Sequence, residues 1–362
     1  MALEERDLEL LIALQENPLA PASKLAKEVN LSTPTIITRL ELLKQDKSYY
    51  NVFANVNPAT LDLEIFDVLI EINDIENVNY FEKQICYNHP YTLFRIRCFG
   101  NFNGLYVQFR IPKNSQDILV DLLDHLKKKN KIQNYIIPNV SLNLLSVYTN
   151  ANLANWEAKL MRWIFNWDTW IQKLNNMDSK EILQPIQKSV LNTLDELDIA
   201  LLQEVTMSAR RKNTELMDSM KLDRDTIGLQ QKISRKLKSL NQYIVSQHRV
   251  FLRWETFEIY NSFLVLSECE KETKIKLQNL LQKHPIPFES TFKITDNGFL
   301  WYLRCPASHF SNVSTIIWDM SKKVKFFYLD YKKSEYYGLW KGAFDSLNHQ
   351  WSTNLMKKEN IL

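Results

Sequence analysis

The stretch VNLSTPTIITRLELLKQD, Val29 to Asp46, has the pattern of a short helix with one apolar face and one polar face. Ser32 stands where a helix N-cap is expected, and Pro34 is tolerated in the first helical turn. Three apolar side chains recur at helical spacing and predict the buried face: Ile36, Leu40 and Leu43. The opposite face is polar, as in a helix that contacts a ligand outside its own domain.

A looser copy, MKLDRDTIGLQQKISRKLKSL, occupies residues 220–240. Asp223 is predicted to cap this helix and Ile227, Ile233 and Leu237 to face inward, although Gly228 lowers helix propensity by about 1 kcal/mol. Between residues 208 and 249, ten basic side chains stand against four acidic ones. This charge density is typical of a phosphate-binding surface, and the alternative is a solvated helix face.

The chain contains an internal repeat. LEERDLELLIALQ from Leu3 resembles LDELDIALLQEV from Leu194, and HPYTLFRIRCFGNFNGLYVQFRIP from His89 resembles HPIPFESTFKITDNGFLWYLRCP from His284. The offset is 191 residues at Asp7 and 194 residues at Gly104. These matches predict one duplication with small insertions.

Each repeat is predicted to contain three short helices followed by strands and helices in the order βαββαβ. The predicted fold class is therefore α+β, with two three-helix domains and two ferredoxin-like (βαββαβ) domains in tandem. Each repeat is expected to end in an amphipathic aromatic helix. The predicted boundaries are 1–50 and 51–140 for the first helical and ferredoxin-like domains, 141–175 for an aromatic helix, 176–193 for a linker, 194–245 and 246–333 for the second pair of domains, and 334–362 for the last aromatic helix.

The two aromatic helices are inferred from one spacing, i, i+4, i+7, i+11, which places four side chains on one helix face. The first set is Trp156, Leu160, Trp163 and Trp167, and the second is Trp340, Phe344, Leu347 and Trp351. Packing against a sheet or a partner helix is expected for these faces, and attachment to a membrane surface is the alternative.

Composition narrows the function classes. The 362 residues carry 45 basic and 42 acidic side chains, so any nucleic-acid footprint must be local. No apolar run is long enough to span a bilayer, the N-terminus is acidic, and a cytoplasmic protein without membrane contact is expected. Four cysteines without a CxxC pair and only six glycines argue against disulfides, zinc sites and Gly-rich phosphate loops. No cofactor, no metal and no enzymatic activity are expected.

A helix-turn-helix (HTH) unit places polar and basic side chains of its second helix in the major groove of double-stranded DNA. Hydroxyl and methyl groups can contact base edges, and cations can contact guanine or phosphate. The predicted contacts of the first unit are Lys24, Ser32, Thr33, Thr35, Thr38, Arg39 and Lys44, with Lys47 at a backbone position. Those of the second unit are Arg210, Arg211, Arg224, Thr226, Gln230, Gln231, Lys232, Arg235 and Lys238.

The segment LEERDLELLIALQENPLAPASKLAKEVNLSTPTIITRLELL resembles the Lrp/AsnC (feast/famine) transcription regulators of bacteria and archaea, and Arg39, Leu40 and Leu43 match the family's Arg-Val/Ile-x-x-Leu ending. The following βαββαβ unit looks like the family's ligand-binding RAM domain. The resemblance covers most of residues 3–137 and, more weakly, 194–329. It implies sequence-specific DNA binding by two non-identical HTH units. It also implies that the two RAM-like domains pair within the chain, with further homo-oligomers expected.

The family binds small-molecule effectors at a Gly-x-Tyr/Phe-Asp loop, and the resemblance carries this role to Gly100, Asn101, Asn103 and Gly104. Asn103 here replaces the acidic residue of the family pattern. Two alternatives remain open. One is an architectural or adaptor protein without sequence choice. The other is an enzyme similar to the sirohaem decarboxylases, which would need a strand bearing His or Arg between the two RAM-like domains; Arg95 and Arg97 are the available arginines.

Overall fold

The computed structural model of the protein describes residues 3–45 and 49–362, which form a mixed α+β structure. Residues 3–176 are termed the first half and residues 191–362 the second half. Helices and strands follow one another in a similar order in both halves. The α+β class is therefore confirmed. Within the described residues, no helix combines the length and apolar character needed to cross a bilayer.

The first half begins with three helices, termed the first head: α1 (Glu5–Glu16), α2 (Ala22–Glu28) and α3 (Thr33–Gln45). Strand β1 (Tyr50–Val56) leads to the first plait: β2 (Leu63–Glu71), α4 (Ile75–Tyr80), β3 (Thr92–Gly100), β4 (Gly104–Pro112), α5 (Gln116–Lys128) and β5 (Asn134–Ile136). Helix α4 continues as a π-helical turn over Phe81–Cys86. The half ends with β6 (Val147–Thr149), β7 (Trp156–Glu157), β8 (Arg162–Trp163) and α6 (Trp167–Gln172).

The second half begins with the second head: α7 (Glu196–Met207), α8 (Asn213–Ser219) and α9 (Leu229–Tyr243). Strand β9 (Val245–Leu252) leads to the second plait: β10 (Ser262–Glu268), α10 (Lys271–Lys283), β11 (Glu289–Thr295), β12 (Gly298–Arg304), α11 (Ala307–Met320) and β13 (Lys323–Tyr336). The chain continues with β14 (Phe344–Asp345), β15 (Gln350–Trp351) and α12 (Lys358–Ile361).

Strands of both halves share one nine-stranded sheet, in the order β5-β2-β4-β3-β13-β10-β12-β11-β6. The first half contributes the run β5-β2-β4-β3, and the second half contributes β13-β10-β12-β11. Strand β13 leaves its own plait and pairs with β3, where Leu329 lies opposite Cys98. At the far end β6 of the first half pairs with β11 of the second, where Tyr148 lies opposite Thr291. A separate two-stranded ribbon of β1 and β9 joins the bases of the two heads.

The first head folds as its sequence pattern predicts. Ser32 Oγ accepts the backbone N–H of Thr35 at 3.2 Å and caps the helix that begins at Thr33. The predicted stripe of Ile36, Leu40 and Leu43 is buried, between 0% and 8% exposed. The capping residue and the helical spacing were sufficient to predict α3 because both signals agree within one short segment.

The two predicted aromatic helices are wrong, because both segments are β-hairpins. Trp156 lies directly opposite Trp163 across β7 and β8, and Phe344 lies opposite Trp351 across β14 and β15. A spacing of seven residues fits two helical turns, but it also fits two strands joined by a tight turn. Leu160, assigned to the buried face, lies in the first turn and is 57% exposed.

Each hairpin packs on the plait of the other half. The indole N–H of Trp163 donates to the carbonyl of Phe257 at 2.7 Å, and that of Trp351 donates to the carbonyl of Leu61 at the same distance. Both carbonyls belong to short 3₁₀ turns just before the first strand of a plait. The hairpins therefore fasten the two halves to each other crosswise.

His309 of α11 holds the first hairpin segment to the second plait. Its Nδ1 accepts the indole N–H of Trp167 at 2.9 Å, which requires a neutral imidazole with the proton on Nε2. Nε2 lies 3.3 Å from the carbonyl of Trp163. Burial lowers the pKa of His309, and burial also lowers the pKa of His89 in the first plait to about 3.

Stability should therefore depend on pH in the acid range. The unfolded chain protonates its histidines below about pH 6.5, whereas folded His309 and His89 stay neutral to lower pH. The unfolded state then binds more protons, so the free energy of unfolding should decrease as pH falls from about 7 to 4. Urea unfolding across this range should show a shallower decrease for His309→Gln than for the wild type. Equal slopes for both proteins would contradict this account.

Candidate nucleic-acid interface

The outward face of α3 carries few positive charges. Opposite the buried stripe lie Pro34, Thr38, Glu41 and Leu42, all exposed. The Thr38 hydroxyl donates to the carbonyl of Pro34 at 3.2 Å, so its acceptor lone pairs face outward. Two further predicted contacts, Thr33 and Thr35, are half-buried near the start of the helix. This face offers hydroxyl and methyl groups rather than cations.

The predicted cations of the first head differ in their surroundings. Lys44 is exposed on the last turn of α3. Lys24 is exposed on α2, where its Nζ donates to Asn17 Oδ1 at 3.0 Å. Lys47 lies outside the described residues. Lys24 Nζ also lies 3.9 Å from Glu28 Oε1, so its charge is partly paired within α2.

Arg39 joins α3 to the start of α1. Its Nη1 lies 2.7 Å from Asp7 Oδ1 and its Nη2 lies 3.0 Å from Glu4 Oε2. Hydrogen bonds with Asp7 and Glu4 raise the pKa of Arg39. The guanidinium is therefore engaged within the head, and its predicted contact with DNA would require these bonds to be released.

The second head repeats this bridge with a lysine. Lys236 Nζ of α9 lies 2.8 Å from Asp198 Oδ2 and 3.0 Å from Asp195 Oδ2, both at the start of α7. Burial opposes the charge, but hydrogen bonds to Asp198 and Asp195 raise the pKa of Lys236. The sequence repeat aligns Asp7 with Asp198, a signal that could have identified this shared bridge.

Removing either bridge should destabilise its head. Arg39→Ala and Lys236→Ala should each lower the free energy of unfolding by about 1 kcal/mol, because each cation is partly buried and has two carboxylate partners. Urea unfolding followed by circular dichroism would measure this. Arg6→Ala is the control, because Arg6 forms one exposed pair with Glu9 on the surface of α1. A loss for Arg6→Ala as large as that for Arg39→Ala would show that the bridge has no special role.

The start of α9 differs from the prediction. Asp223 does not cap α9, which begins at Leu229, and its carboxylate instead accepts the N–H of Asp225 at 3.0 Å. Ile227, predicted to face inward, is fully exposed. Gly228 precedes the helix with a φ of 77°, a left-handed conformation that glycine adopts at little cost. The glycine therefore ends an extended turn and does not weaken the helix interior.

The outward face of α9 is cationic. Opposite buried Ile233 and Leu240 lie Gln231, Arg235 and Lys238, all exposed, with Lys232 at the edge. Lys232, Arg235 and Lys238 form no ion pair with any carboxylate in the described parts of the chain. Gln230 and Thr226 are also exposed beside the start of the helix. This surface carries free cations and amides of the kind that contact phosphates and base edges.

The other predicted cations of the second head are engaged. Arg211 pairs with Glu204, and Arg224 pairs with Asp218 through Nε to Oδ1 at 2.6 Å. Arg210 donates from Nη1 to the carbonyls of Pro18 at 2.8 Å and Ala20 at 2.9 Å. Burial lowers the pKa of Arg210. Arg210 thus holds the α1–α2 turn of the first head rather than facing solvent.

Neighbouring bonds strengthen this contact between the heads. The N–H of Ala209 donates to the carbonyl of Val52 at 2.7 Å, and Asn51 Nδ2 donates to the carbonyl of Met207 at 3.0 Å. Together with Arg210, they tie the α7–α8 turn to the first head and to β1. No sequence pattern indicates this role, because the partners are main-chain carbonyls far away in the chain.

The predicted effector loop is a close contact between strands. Gly100 has a φ of 131°, and a Cβ there would lie 2.5 Å from the carbonyl oxygen of Phe326 in β13. A Cβ on Gly104 would lie 2.0 Å from the carbonyl oxygen of Ile70. Asn101 and Asn103 are exposed in the turn, and their backbone atoms bond Phe326 and Ile72. Close packing against neighbouring strands explains why both positions are glycine, and effector binding at this loop stays a prediction.

Both arginines considered for an enzyme site are bound to carboxylates, and Arg95 Nη2 also lies 2.6 Å from Glu335 Oε2 of β13 in the second half. Arg95 Nη1 and Arg97 Nη2 bind the two carboxylate oxygens of Glu82, in the π-helical turn, at 2.9 and 2.7 Å. The alternate residues of β3, Ile96 and Cys98, face the other way into an apolar cluster with strands of the second plait. Sequence reasoning missed the ion pair of Asp67 with Lys293, which lies beside this cluster.

Residues 3–44 match the AsnC-type helix-turn-helix domain. The crystal structure of the siroheme decarboxylase NirDL resembles this chain with a TM-score of 0.54 and 11% identity, covering 98% of both chains. The same enzyme in co-complex with an iron-uroporphyrin III analogue gives a TM-score of 0.53 and 10% identity, covering 90% of this chain and 91% of that one. E. coli AsnC gives a TM-score of 0.29 and 18% identity over 38% of this chain and 91% of its own.

No curated protein matches the sequence. The first head is thus an AsnC-type helix-turn-helix domain, and the likeness to NirDL over nearly the whole chain concerns the fold.

Proposed function

We propose that the protein is a sequence-specific, DNA-binding transcription regulator with two non-identical HTH heads. In this proposal the chain contains two AsnC-like units in tandem, whose plaits pair within one polypeptide as an intramolecular pseudo-dimer. The observation that carries it is the outward face of α9, where Lys232, Arg235 and Lys238 are exposed and unpaired in the part of the chain that the structure describes. The AsnC-type match of the first head supports the same function.

The two heads contribute unequally. The two third helices can be aligned on their bridging cations, Arg39 and Lys236. In this alignment Thr38 and Glu41 of α3 occupy the positions of Arg235 and Lys238 of α9. Phosphate contacts provide most of the sequence-independent affinity for DNA, so the second head supplies the larger share. The first head contributes mainly hydroxyl and methyl contacts to base edges. Two different helices held in one chain would read an asymmetric pair of half-sites.

The contact of Arg210 with the first head supports this arrangement. Because the α7–α8 turn is bonded to both the first head and β1, the two recognition helices keep one relative orientation. A fixed orientation corresponds to a fixed spacing between half-sites on the duplex.

Loss of the α9 cations should weaken DNA binding and its dependence on salt. For Lys232→Ala/Arg235→Ala/Lys238→Ala, the slope of log K against log salt should decrease in magnitude by about three. Fluorescence anisotropy with duplex DNA at several salt concentrations would measure the slope. The matched control is Lys127→Ala/Lys128→Ala/Lys129→Ala at the C-terminal end of α5, which removes three exposed lysines outside both heads. Equal slopes for both triple variants would sink the proposal.

The same titrations distinguish a regulator from an architectural or adaptor protein. A regulator loses affinity with salt and also ranks duplex sequences, whereas an architectural binder shows the salt dependence alone. Absence of DNA binding by the wild type would favour an adaptor role.

Enzymatic activity of the decarboxylase kind is a second candidate, because the resemblance to NirDL extends over 98% of both chains. The residues between the plaits do not favour it. Arg95 and Arg97 are bound to Glu82, and the six histidines lie elsewhere: His89, His125, His248, His284, His309 and His349. Asp67, Tyr106 and Lys293 do lie between the plaits, but they are bonded to one another, whereas general acid or base catalysis needs a group that can exchange a proton with the substrate.

An absorbance titration with an iron uroporphyrin would test this candidate. No saturable change in the Soret band is expected for the wild type, because the space between the plaits is occupied by packed side chains. A saturable change lost in Lys293→Met would support a tetrapyrrole site between the plaits and would reopen the enzyme reading.

A further inference from the structure

A buried ion pair connects the inner surfaces of the two plaits. Asp67 on β2 of the first plait and Lys293 on β11 of the second lie 2.7 Å apart through Oδ2 and Nζ, with side chains 1% and 7% exposed. Tyr106 donates its hydroxyl to Asp67 Oδ1 at 2.6 Å, and Gln108 donates from Nε2 to the same oxygen at 2.8 Å. Both carboxylate oxygens therefore accept hydrogen bonds from the protein, two at Oδ1 and one at Oδ2.

The corresponding positions on the other side of the contact are apolar. In the first plait Gly104 pairs with Glu71, which lies four residues after Asp67. In the second plait Gly298 pairs with Glu268, which lies four residues after Leu264. Asp67 and Leu264 therefore occupy equivalent positions. Gly104 also pairs with Cys98, two residues after Ile96, and Gly298 also pairs with Thr295, two residues after Lys293. Ile96 and Lys293 therefore occupy equivalent positions.

Leu264 and Ile96 are both fully buried and belong to one apolar cluster. The contact between the plaits thus contains a charged pair on one side and an apolar pair at the equivalent place on the other.

This asymmetry distinguishes three ways of pairing plaits. Two copies of the first plait would place each Asp67 against an Ile96, and two copies of the second would place each Lys293 against a Leu264. Each arrangement buries two charges without partners, and burying an unpaired charge is strongly unfavourable. Only a first plait with a second plait satisfies both charges.

We propose that the Asp67–Lys293 pair specifies the partner of each plait, so that a first plait accepts a second plait and rejects another copy of itself. Buried ion pairs often add little to stability compared with apolar residues of similar size, and their best-attested use is to fix pairing and register. Here the pair excludes the symmetric dimers that two similar plaits could otherwise form between chains. Each pair of plaits therefore carries one first head and one second head.

Complementary charge variants of the full chain test this. One chain carries Asp67→Lys and the other, with a different tag, carries Lys293→Asp, so that each chain alone has like charges at the contact. If the halves exchange, the first plait of one chain meets the matching second plait of the other. Both chains also receive a protease site between Pro185 and Lys188, which are exposed. After co-expression and cleavage, mass spectrometry shows which second half is bound to each tagged first half.

We expect the tagged first half of each variant to be recovered mainly with the second half of the other variant. Co-expressed wild-type chains with the two tags should keep their own second halves. Asp121→Lys and Lys358→Asp form the matched control, because this pair also joins the two halves at 2.8 Å but is exposed. These control chains should not exchange.

If both variant chains keep their own halves and unfold at the wild-type urea concentration, the proposal is wrong. If both variants fail to fold, the single chain carrying Asp67→Lys together with Lys293→Asp decides. Recovery of a folded chain would support charge matching at this contact, and failure to recover it would overturn the proposal.

Discussion

Each plait has a sheet edge that the other half of the chain covers. An open edge exposes unpaired N–H and C=O groups and tends to recruit other strands. Here β13 extends beyond its own plait to pair with β3, and β6 crosses to pair with β11. The crosswise hairpins, fastened through Trp163 and Trp351, follow from this exchange because each hairpin comes directly after a crossing strand. The halves cannot separate without breaking sheet pairing, hairpin packing and the β1–β9 ribbon together.

This shared framework holds two heads that differ in chemistry. Both heads use a cation of their third helix to bind acidic residues at the start of their first helix, Arg39 in one and Lys236 in the other. The similarity ends on the outward faces, where α3 presents Thr38 and Glu41 and α9 presents Arg235 and Lys238. A pair of identical chains could not produce this difference. In the proposed function, one polypeptide therefore replaces two identical subunits with two specialised ones.

Local features of the fold were predictable from the sequence, and long-range ones were not. The capped start of α3 and its buried stripe followed from adjacent residues whose signals agree. The hairpins were misread because aromatic residues seven positions apart fit both one face of a helix and a short hairpin. Only packing on the opposite half decides between the two.

In the candidate site, exposure of Arg235 and Lys238 matched the expectation, whereas Arg39 and Arg210 have partners 32 and about 190 residues away. The alignment of Asp7 with Asp198 could have indicated the bridge of Arg39, but composition and spacing carry no information about the carbonyl partners of Arg210.

A selection of the 362-residue chain against a random duplex library at near-physiological salt would test the account most directly. Two unequal heads in a fixed orientation predict an enriched motif of two different half-sites at one spacing, with one half lost in Arg235→Ala. Enrichment of a symmetric palindrome, or of no sequence at all, would contradict a regulator with two non-identical heads.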